Sequence, residues 1–302
     1  MDILENESKC YQYFTDNKIK NRESLRESLK TNPIEGVSKA FIETLFSNYK
    51  KEQKSFSSKP NGKISRSICI SDLHIPYQDD KAVNLAFDCI VDLQPENLIL
   101  NGDIIDCYWC SDFTKKPKNV VYLQDEANIF YKKFSYLRRH IPNTNIFYVL
   151  GNHEDRIAKN QWKNPQLYGL KALEPENLLK LNKLNIKCYK TKVILNNFIY
   201  FHGELVTRNG SYTAKAEFEA HKMNSGISGH THRLGAYYKT YDNDTTYWFE
   251  NGCLCTLNPD YLKDVVNWQH GFSIINSYEG LNQVDQVLIN NYKFMYNNKV
   301  YK

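Results

Sequence analysis

The sequence predicts an α/β domain preceded by a small helical segment, and three observations carry that expectation. After residue 63, short apolar and β-branched runs at 67–71, 98–101 and 146–150 alternate with helical periodicity over 79–93 and 124–139. That alternation is expected of a sheet whose early strands are parallel and buried on both faces. From Val193 onward strand patterns dominate, at 193–195, 198–201, 227–228, 235–240, 245–250, 272–276 and in pieces of 284–301, with Asp242-Asn243-Asp244 as a hairpin turn. The third observation is a polar stretch from Lys54 to Lys63, punctuated by Pro60 and Gly62, which reads as a linker. Before it, about fifty residues follow helical spacing: Leu25 and Leu29 share one face, and Ala40, Phe41, Leu45 and Phe46 continue the pattern after Pro33 and Gly36. The expected organisation is therefore a helical segment and linker over 1–63 and one large domain over 64–302.

Composition narrows the class. With 41% hydrophobic and 24% charged residues in 302, the chain is an ordinary globular one. The net charge of +5 permits a polyanionic partner without demanding one, and residues 1–63 hold +3 of it, from 12 basic and 9 acidic side chains. The first nine residues are polar and acidic, and no uncharged run approaches the roughly 18–20 residues that span a bilayer. A soluble, cytoplasmic protein without a membrane partner is expected, with its eight cysteines as reduced thiols. Cys107-x-x-Cys110 and Cys253-x-Cys255 offer either a four-thiolate zinc site or small buried residues, the second pair lacking the usual two-residue gap. The helices before the linker read as a helix-turn-helix for DNA or as an arm that packs on the main domain or dimerises. No heptad pattern fixes an oligomeric state.

Five clusters follow predicted strands directly: Asp72-Leu-His74, Gly102-Asp103-Ile-Ile-Asp106, Gly151-Asn152-His153-Glu154, His202-Gly203 and Gly229-His230-Thr231-His232. In open α/β sheets the loops at the carboxyl ends of strands converge on one site. Carboxylates, an amide oxygen and several imidazoles gathered there suit two divalent transition metals, and the glycines allow sharp turns and close approach. Any one cluster is common by chance. Their joint occurrence in this order is not.

On these residues the sequence resembles the calcineurin-like metallophosphoesterases, from about Ile68 to Phe272, with every block of that family's signature: D-x-H, G-D-x-x-D, G-N-H-[DE], H-G and G-H-x-H. The resemblance implies a four-layer α-β-β-α sandwich, helices outside two facing mixed sheets, with metals at one edge. It also implies that Asp72, His74 and His232 hold a first metal, that Asn152, His202 and His230 hold a second, and that Asp103 bridges both. Two metals about 3.5–4 Å apart share a carboxylate and a water, lower the pKa of that water and clamp phosphoryl oxygens, so a bridging hydroxide attacks phosphorus in line. His153 resembles the family's acid for the leaving oxygen, oriented by Asp106; the competing reading gives both a supporting role without proton transfer. Mixed N and O ligands favour Mn, Fe, Ni or Zn over magnesium, with Mn²⁺ the first choice. Arg156 matches an arginine that often follows the motif, either to grip a phosphate oxygen or to pair with Asp155 or Glu154.

Departures from the subfamilies narrow the substrate. Cys107 and Tyr108 stand where protein serine/threonine phosphatases carry arginine and glycine, and no greasy cap helix of the lipid pyrophosphatases is visible. The Gly229-His-Thr-His-Arg233 ending resembles phosphodiesterases and the bacterial lipid-precursor pyrophosphatases, which typically carry arginine in place of His153. Asn251-Gly-Cys followed by Asn267-Trp-Gln-His-Gly-Phe272 resembles stand-alone phosphoesterases of phages and mobile elements, some of them described as nucleases. The expected activity is hydrolysis of phosphodiester bonds in nucleic acid or nucleotides, in the host cytoplasm if phage-encoded. The alternatives are a monoesterase or pyrophosphatase acting on a small nucleotide, and a non-catalytic DNA-binding regulator that keeps the fold. Trp248, Trp268, Tyr237, Tyr238 and Tyr247 either stack bases near the site or face the sheet core, and His270 either joins the site or does not.

Overall fold

The computed structural model describes residues 9–10, 12–14, 16–17, 19, 21–56, 64–112, 121–259 and 266–302. The chain forms two compact units, Met1–Lys59 and Pro60–Lys302.

In the first unit, helix α1 (Arg22–Thr31) starts at Asn21. The Asn21 side-chain oxygen accepts the Ser24 N–H at 2.8 Å, and Ser24 Oγ accepts the Asn21 N–H at 3.1 Å, which satisfies two N–H groups that a helix start leaves unpaired. Helix α2 (Lys39–Phe56) follows. Leu25 is buried with Phe14, Ile42, Leu45 and Phe46 in a core belonging to this unit alone. Two of the basic side chains of α1 are engaged by α2: Arg22 Nη2 donates to Ser47 Oγ at 2.9 Å, and Arg26 Nε donates to Glu43 Oε1 at 3.3 Å. Residues 32–38 join the helices, a longer connection than the three- or four-residue turn of a helix-turn-helix.

The second unit is built on two mixed sheets. In the first, β1 (Ser65–Ile70), β2 (Asn97–Asn101), β3 (Asn145–Val149) and β4 (Ile186–Tyr189) run parallel, with Ile68 opposite Leu98 and Ile99 opposite Phe147. The chain returns to lay β10 (Gly271–Tyr278) antiparallel to β1 and β11 (Leu281–Leu288) beyond it. The second sheet has the order β5 (Lys192–Leu195), β6 (Phe198–Phe201), β7 (Gly226–Ser228), β9 (Asp244–Asn251), β8 (Leu234–Tyr241), with β6, β7 and β9 parallel. A separate hairpin joins β12 (Phe294–Tyr296) to β13 (Lys299–Tyr301).

Side-chain alternation sets the layers. Ile68, Ile70, Leu98, Leu100, Ile146 and Tyr148 point to the face covered by α3 (Asp80–Leu93) and α4 (Leu123–His140), whose Ala82, Ala86, Phe130, Phe134 and Leu137 complete the largest core. Asp79 caps α3 by accepting the N–H groups of Lys81 and Ala82 at 3.0 and 3.1 Å. Helix α5 (Asp155–Lys163) leaves the end of β3. On the second sheet α6 (Tyr212–Ala220) places Ala214 and Phe218 over Ile199 and Trp248. Between the sheets, Asn101 Nδ2 donates to the Phe201 carbonyl at 2.9 Å, Asn251 Nδ2 to that of Cys69 at 3.1 Å, and Gln286 Nε2 to that of Glu250 at 2.6 Å. Helices, sheet, sheet and helix make the expected four-layer α/β arrangement.

Two local readings are corrected. Strand β4 carried no sequence signal, because its four residues follow an irregular series of short turns and do not alternate. The β8–β9 turn has two residues, not three: Tyr241 pairs with Asp244, and Asp242 and Asn243 both adopt positive φ, 46° and 68°, which gives the strands the twist a tight hairpin needs. Among the described residues no helix is long and apolar enough to cross a membrane.

Candidate metal centre

Each motif occupies the turn that leaves the carboxyl end of a parallel strand: Asp72 and His74 after β1, Asp103 after β2, Asn152 and His153 after β3, His202 after β6, His230 and His232 after β7. Adjacent parallel strands deliver these turns to one edge of the sandwich. The backbone is strained there. Asp72, His74, Asp103, His230 and His232 have φ of 54°, 50°, 51°, 69° and 59°, a region costing a non-glycine residue of order 1 kcal/mol or more and concentrated at functional sites. Two glycines are dictated by proximity: a Cβ on Gly151 would lie 2.2 Å from Asp103 Oδ1, and one on Gly229 would lie 2.5 Å from Asp72 Oδ2.

The expected donor atoms converge in two groups. In one, His74 Nε2 and His232 Nε2 are 3.0 Å apart, and Asp72 Oδ1 is 3.3 Å from the latter and 3.9 Å from the former. In the other, His202 Nε2 lies 3.2 Å from both Asn152 Oδ1 and Asp103 Oδ2. Asp103, His202 and His230 each bring a donor atom within 4.8 Å of the others, as do Asp72, His74 and Asp103. Asp103 thus belongs to both groups. Its Oδ1 accepts the His153 N–H at 2.9 Å, and its Oδ2 faces the imidazoles, 3.8 Å from His74 Nε2.

Proton bookkeeping shows that this set fits cations. His202 Nδ1 is 2.8 Å from the Asn101 carbonyl, so it carries the proton, and a neutral His202 turns a bare Nε2 toward two oxygen acceptors. His74 likewise donates Nδ1–H to Asp106 Oδ1 at 3.0 Å and aims Nε2 at that of His232. His230 Nδ1 is buried with no hydrogen-bond partner. Convergent lone pairs of this kind are satisfied by divalent metal ions. With protons as the only cations, burial lowers the His202 pKa, but Asp103 and Asp72 outweigh it and push it up to about 10. Burial is likewise outweighed in Asp103, held well below the usual carboxylate range by His202 and His153.

His153, Asp106 and Arg156 form a flank to this centre. Asp106 Oδ1 lies 3.1 Å from His153 Nδ1, and His153 Nε2 is 3.7 Å from Asp103 Oδ2. Arg156 donates Nη1–H to the Asp106 carbonyl at 2.9 Å, and its Nη2 reaches His153 Nε2 at 2.7 Å. The arginine therefore pairs with neither Asp155 nor Glu154, and its ion-pair partner is Asp106 at 3.7 Å. Burial would lower the His153 pKa, but Asp103 and Asp106 overcome it and the opposing Arg156, so the imidazole holds its proton more tightly than usual.

Other candidates fall outside the centre. Arg233, the last residue of the G-H-T-H-R run, is buried and bonds the carbonyls of Thr207 and Arg208 at 3.0 and 3.2 Å. His270 donates Nε2–H to the Cys255 carbonyl at 2.8 Å and joins no donor group. The four-thiolate site is not formed: among the described residues the one cysteine in a donor group is Cys255, with His74 and His232, and Cys107 is a free thiol buried in the main core. Of the aromatics, Trp248 is core, Tyr247 donates its hydroxyl to the Asn282 carbonyl, and Tyr238 is 58% exposed; Trp268 alone contacts a centre residue, His232.

Sequence reasoning missed Glu154. Its buried carboxylate accepts the N–H groups of Gly151 and Asp103 on Oε2 at 2.7 and 3.0 Å. Its Oε1 accepts those of Ile104 and Ile105 at 2.9 and 3.2 Å and the Tyr148 hydroxyl at 2.6 Å. It ties the β2 turn to the β3 turn. The signal was in plain view as the last letter of G-N-H-E, but nothing local says that an acid there faces backbone rather than metal.

Residues 65–266 match the family model described as calcineurin-like phosphoesterase. The Gene 54 protein of Mycobacterium phage L5 is 27% identical over 231 residues, covering 70% of this chain and 88% of that protein. Similar solved structures include a Vps29 single mutant from Entamoeba histolytica, with TM-score 0.41 and 11% identity over 78% of this chain and 95% of that one. Another is a dimetal phosphatase from Danio rerio, with TM-score 0.34 and 12% identity over 74% and 95%. The five signature blocks, their placement at the strand ends and the matched span together mean that the chain belongs to the calcineurin-like phosphoesterase family.

Proposed function

We propose that this protein is a two-metal phosphodiesterase acting on nucleic acid or nucleotides. The observation that carries the reading is the pair of donor groups sharing Asp103, with the His153 imidazole 3.7 Å from the shared carboxylate. Asp72, His74 and His232 would hold one ion, Asn152, His202 and His230 the other, and Asp103 both. Mn²⁺ is the first choice among Mn, Fe, Ni and Zn. When bound, such ions acidify water and neutralise charge on phosphoryl oxygens.

The chain's own residues do the rest. The Asp106 carbonyl accepts the Nδ1–H of His153 at 2.9 Å, with Asp106 Oδ1 3.1 Å from the same nitrogen, and fixes the ring, so that a second proton, on Nε2, is available to the leaving oxygen. Arg156, already at Nε2, offers its guanidinium to a non-bridging oxygen and leaves His153 in the exchange. A diester fits better than a monoester. At neutral pH a monoester phosphate carries close to two negative charges, a diester one. Among the described residues Arg156 is the one arginine at the centre: a cysteine, Cys107, stands where a second clamp would, and Arg233 bonds the Thr207 carbonyl instead. The helical segment 1–63 would guide DNA or a protein partner, and the phage relative supports a site of action in a host cytoplasm.

The test is hydrolysis of bis-p-nitrophenyl phosphate by EDTA-stripped protein reloaded with Mn²⁺. Turnover should appear with the metal, vanish in Asp103→Asn and fall about 10²–10⁴-fold in His153→Ala. Full activity in both variants would overturn the site. Faster consumption of p-nitrophenyl phosphate or dinucleoside polyphosphates than of any diester would overturn the substrate class, and duplex-DNA binding without turnover on any metal would leave the non-catalytic regulator standing.

A further inference from the structure

The four tryptophans occupy different environments. Trp248 is wholly buried under α6; Trp162 and Trp109 are 66% and 44% exposed, the second edge-on to Tyr122 at 5.9 Å. Trp268 is half-buried, with its ring 4.3 Å from the His232 ring at 68°. Its position is fixed by the next residue. Gln269 donates its N–H to the His232 carbonyl at 2.9 Å, accepts the Cys253 N–H on its own carbonyl at 3.0 Å and accepts the Leu234 N–H on Oε1 at 3.1 Å. The segment bearing the indole is therefore fastened to the turn that carries His230 and His232.

The indole ends a row of rings. Trp268 touches His232, His232 touches His74 at 4.9 Å, and His74 touches His153 at 4.4 Å, with Arg156 at the far side of His153. The proton donor for the leaving oxygen stands at one end of this row, and an aromatic surface that water can reach stands at the other. A half-covered indole beside a charged donor set gains little from water, whereas an aromatic face binds any nucleobase by stacking.

We propose that Trp268 is a specificity residue that stacks the base of the nucleoside remaining esterified to phosphorus, opposite the leaving group served by His153. The proposal rests on the phosphodiesterase reading and names its substrate as a nucleotide diester whose retained group is a nucleoside.

The experiment compares two diesters with one leaving group: the p-nitrophenyl ester of thymidine monophosphate, and methyl p-nitrophenyl phosphate, using the full chain loaded with Mn²⁺. Trp268→Ala should raise KM for the thymidine ester about tenfold more than it raises KM for the methyl ester, within what base–aromatic stacking supplies. Trp268→Phe should recover most of the loss. Quenching of tryptophan fluorescence by thymidine monophosphate should be present in the parent and absent in Trp268→Ala. The proposal is overturned if the alanine variant slows both esters equally, which would make Trp268 a mere prop for His232, or if it alters neither. Should the parent cleave neither ester, the phosphodiesterase reading fails, and the quenching measurement still decides whether Trp268 meets a base.

Discussion

Glu154→Gln changes one oxygen to an amide and leaves shape nearly intact, so its cost isolates what the carboxylate does. Each oxygen of Glu154 is filled by donors: Gly151 and Asp103 on Oε2, Ile104, Ile105 and Tyr148 on Oε1. Burial and the neighbouring Asp103 raise its pKa, and the donors oppose them. A glutamine serves the larger set with its carbonyl and turns its NH₂ on the other two N–H groups, leaving both unpaired in the interior. At about 1–3 kcal/mol for each stranded donor, the loss is about 4 kcal/mol. At about 2–4 °C per kcal/mol for a unit of this size, the melting temperature read by near-UV circular dichroism in EDTA should fall roughly 8–16 °C. Because one stranded N–H belongs to Asp103, Mn²⁺ affinity by titration calorimetry should also fall about 10–100-fold. A melting point within 2 °C of the parent (far below the roughly 8 °C expected), together with unchanged affinity, would refute the clasp.

Two further substitutions probe the same edge. In Gly151→Ala the new Cβ meets Asp103 Oδ1 at 2.2 Å and must push the shared carboxylate aside, so phosphodiester turnover should drop about 10²-fold or more; activity within a factor of about two would contradict the close approach on which that estimate rests. Glu126 offers a pH signature, since burial pushes it up to about 8. The folded protein then keeps a proton that the unfolded chain releases near pH 4.5, so stability falls as pH rises from about 4.5 to 8, by up to about 1.4 kcal/mol per unit. Glu126→Gln should flatten that slope and exceed the parent in melting temperature at pH 9, and parallel curves for the two proteins would exclude it.

What was readable in the sequence follows from how local the chemistry is. Asp72, His74, Asp103, Asn152, His202, His230 and His232 stood out because a metal demands particular atoms, and a strand end with a neighbouring glycine is a particular place to put them. The buried strands were readable for a similar reason, since Leu98 to Leu100 have no polar alternative. Arg233 and Arg156 look alike beside their motifs, yet one is turned into the 207–213 loop and the other into the centre. Trp248 and Trp268 are the same residue with opposite environments. Those outcomes depend on partners far away in the chain, which no spacing rule reports.

The unread part has a common physical form. Turns that run through positive φ cannot continue a strand ladder, so their N–H groups need other acceptors, and inside a protein each unpaired group is costly. Four buried glutamates provide them along this edge. Glu154 takes the 103–105 and 151 backbone, Glu126 takes Cys107 and Tyr108 at 2.7 and 3.2 Å, Glu217 takes Glu204 and Leu205 at 2.9 and 3.0 Å, and Glu250 takes Ser211 at 2.6 Å and the Thr231 hydroxyl at 2.8 Å. Glu154 lies at the end of the β3 turn and the other three on elements behind the turns they hold, whereas Asp72 and His74 donate their N–H groups to the carbonyls of Gly102 and Asp103 at 3.0 and 2.9 Å. The candidate donor geometry therefore rests partly on buried glutamates that offer no atom to the donor groups themselves, as Glu154 does for the Asp103 turn and Glu250 for Thr231.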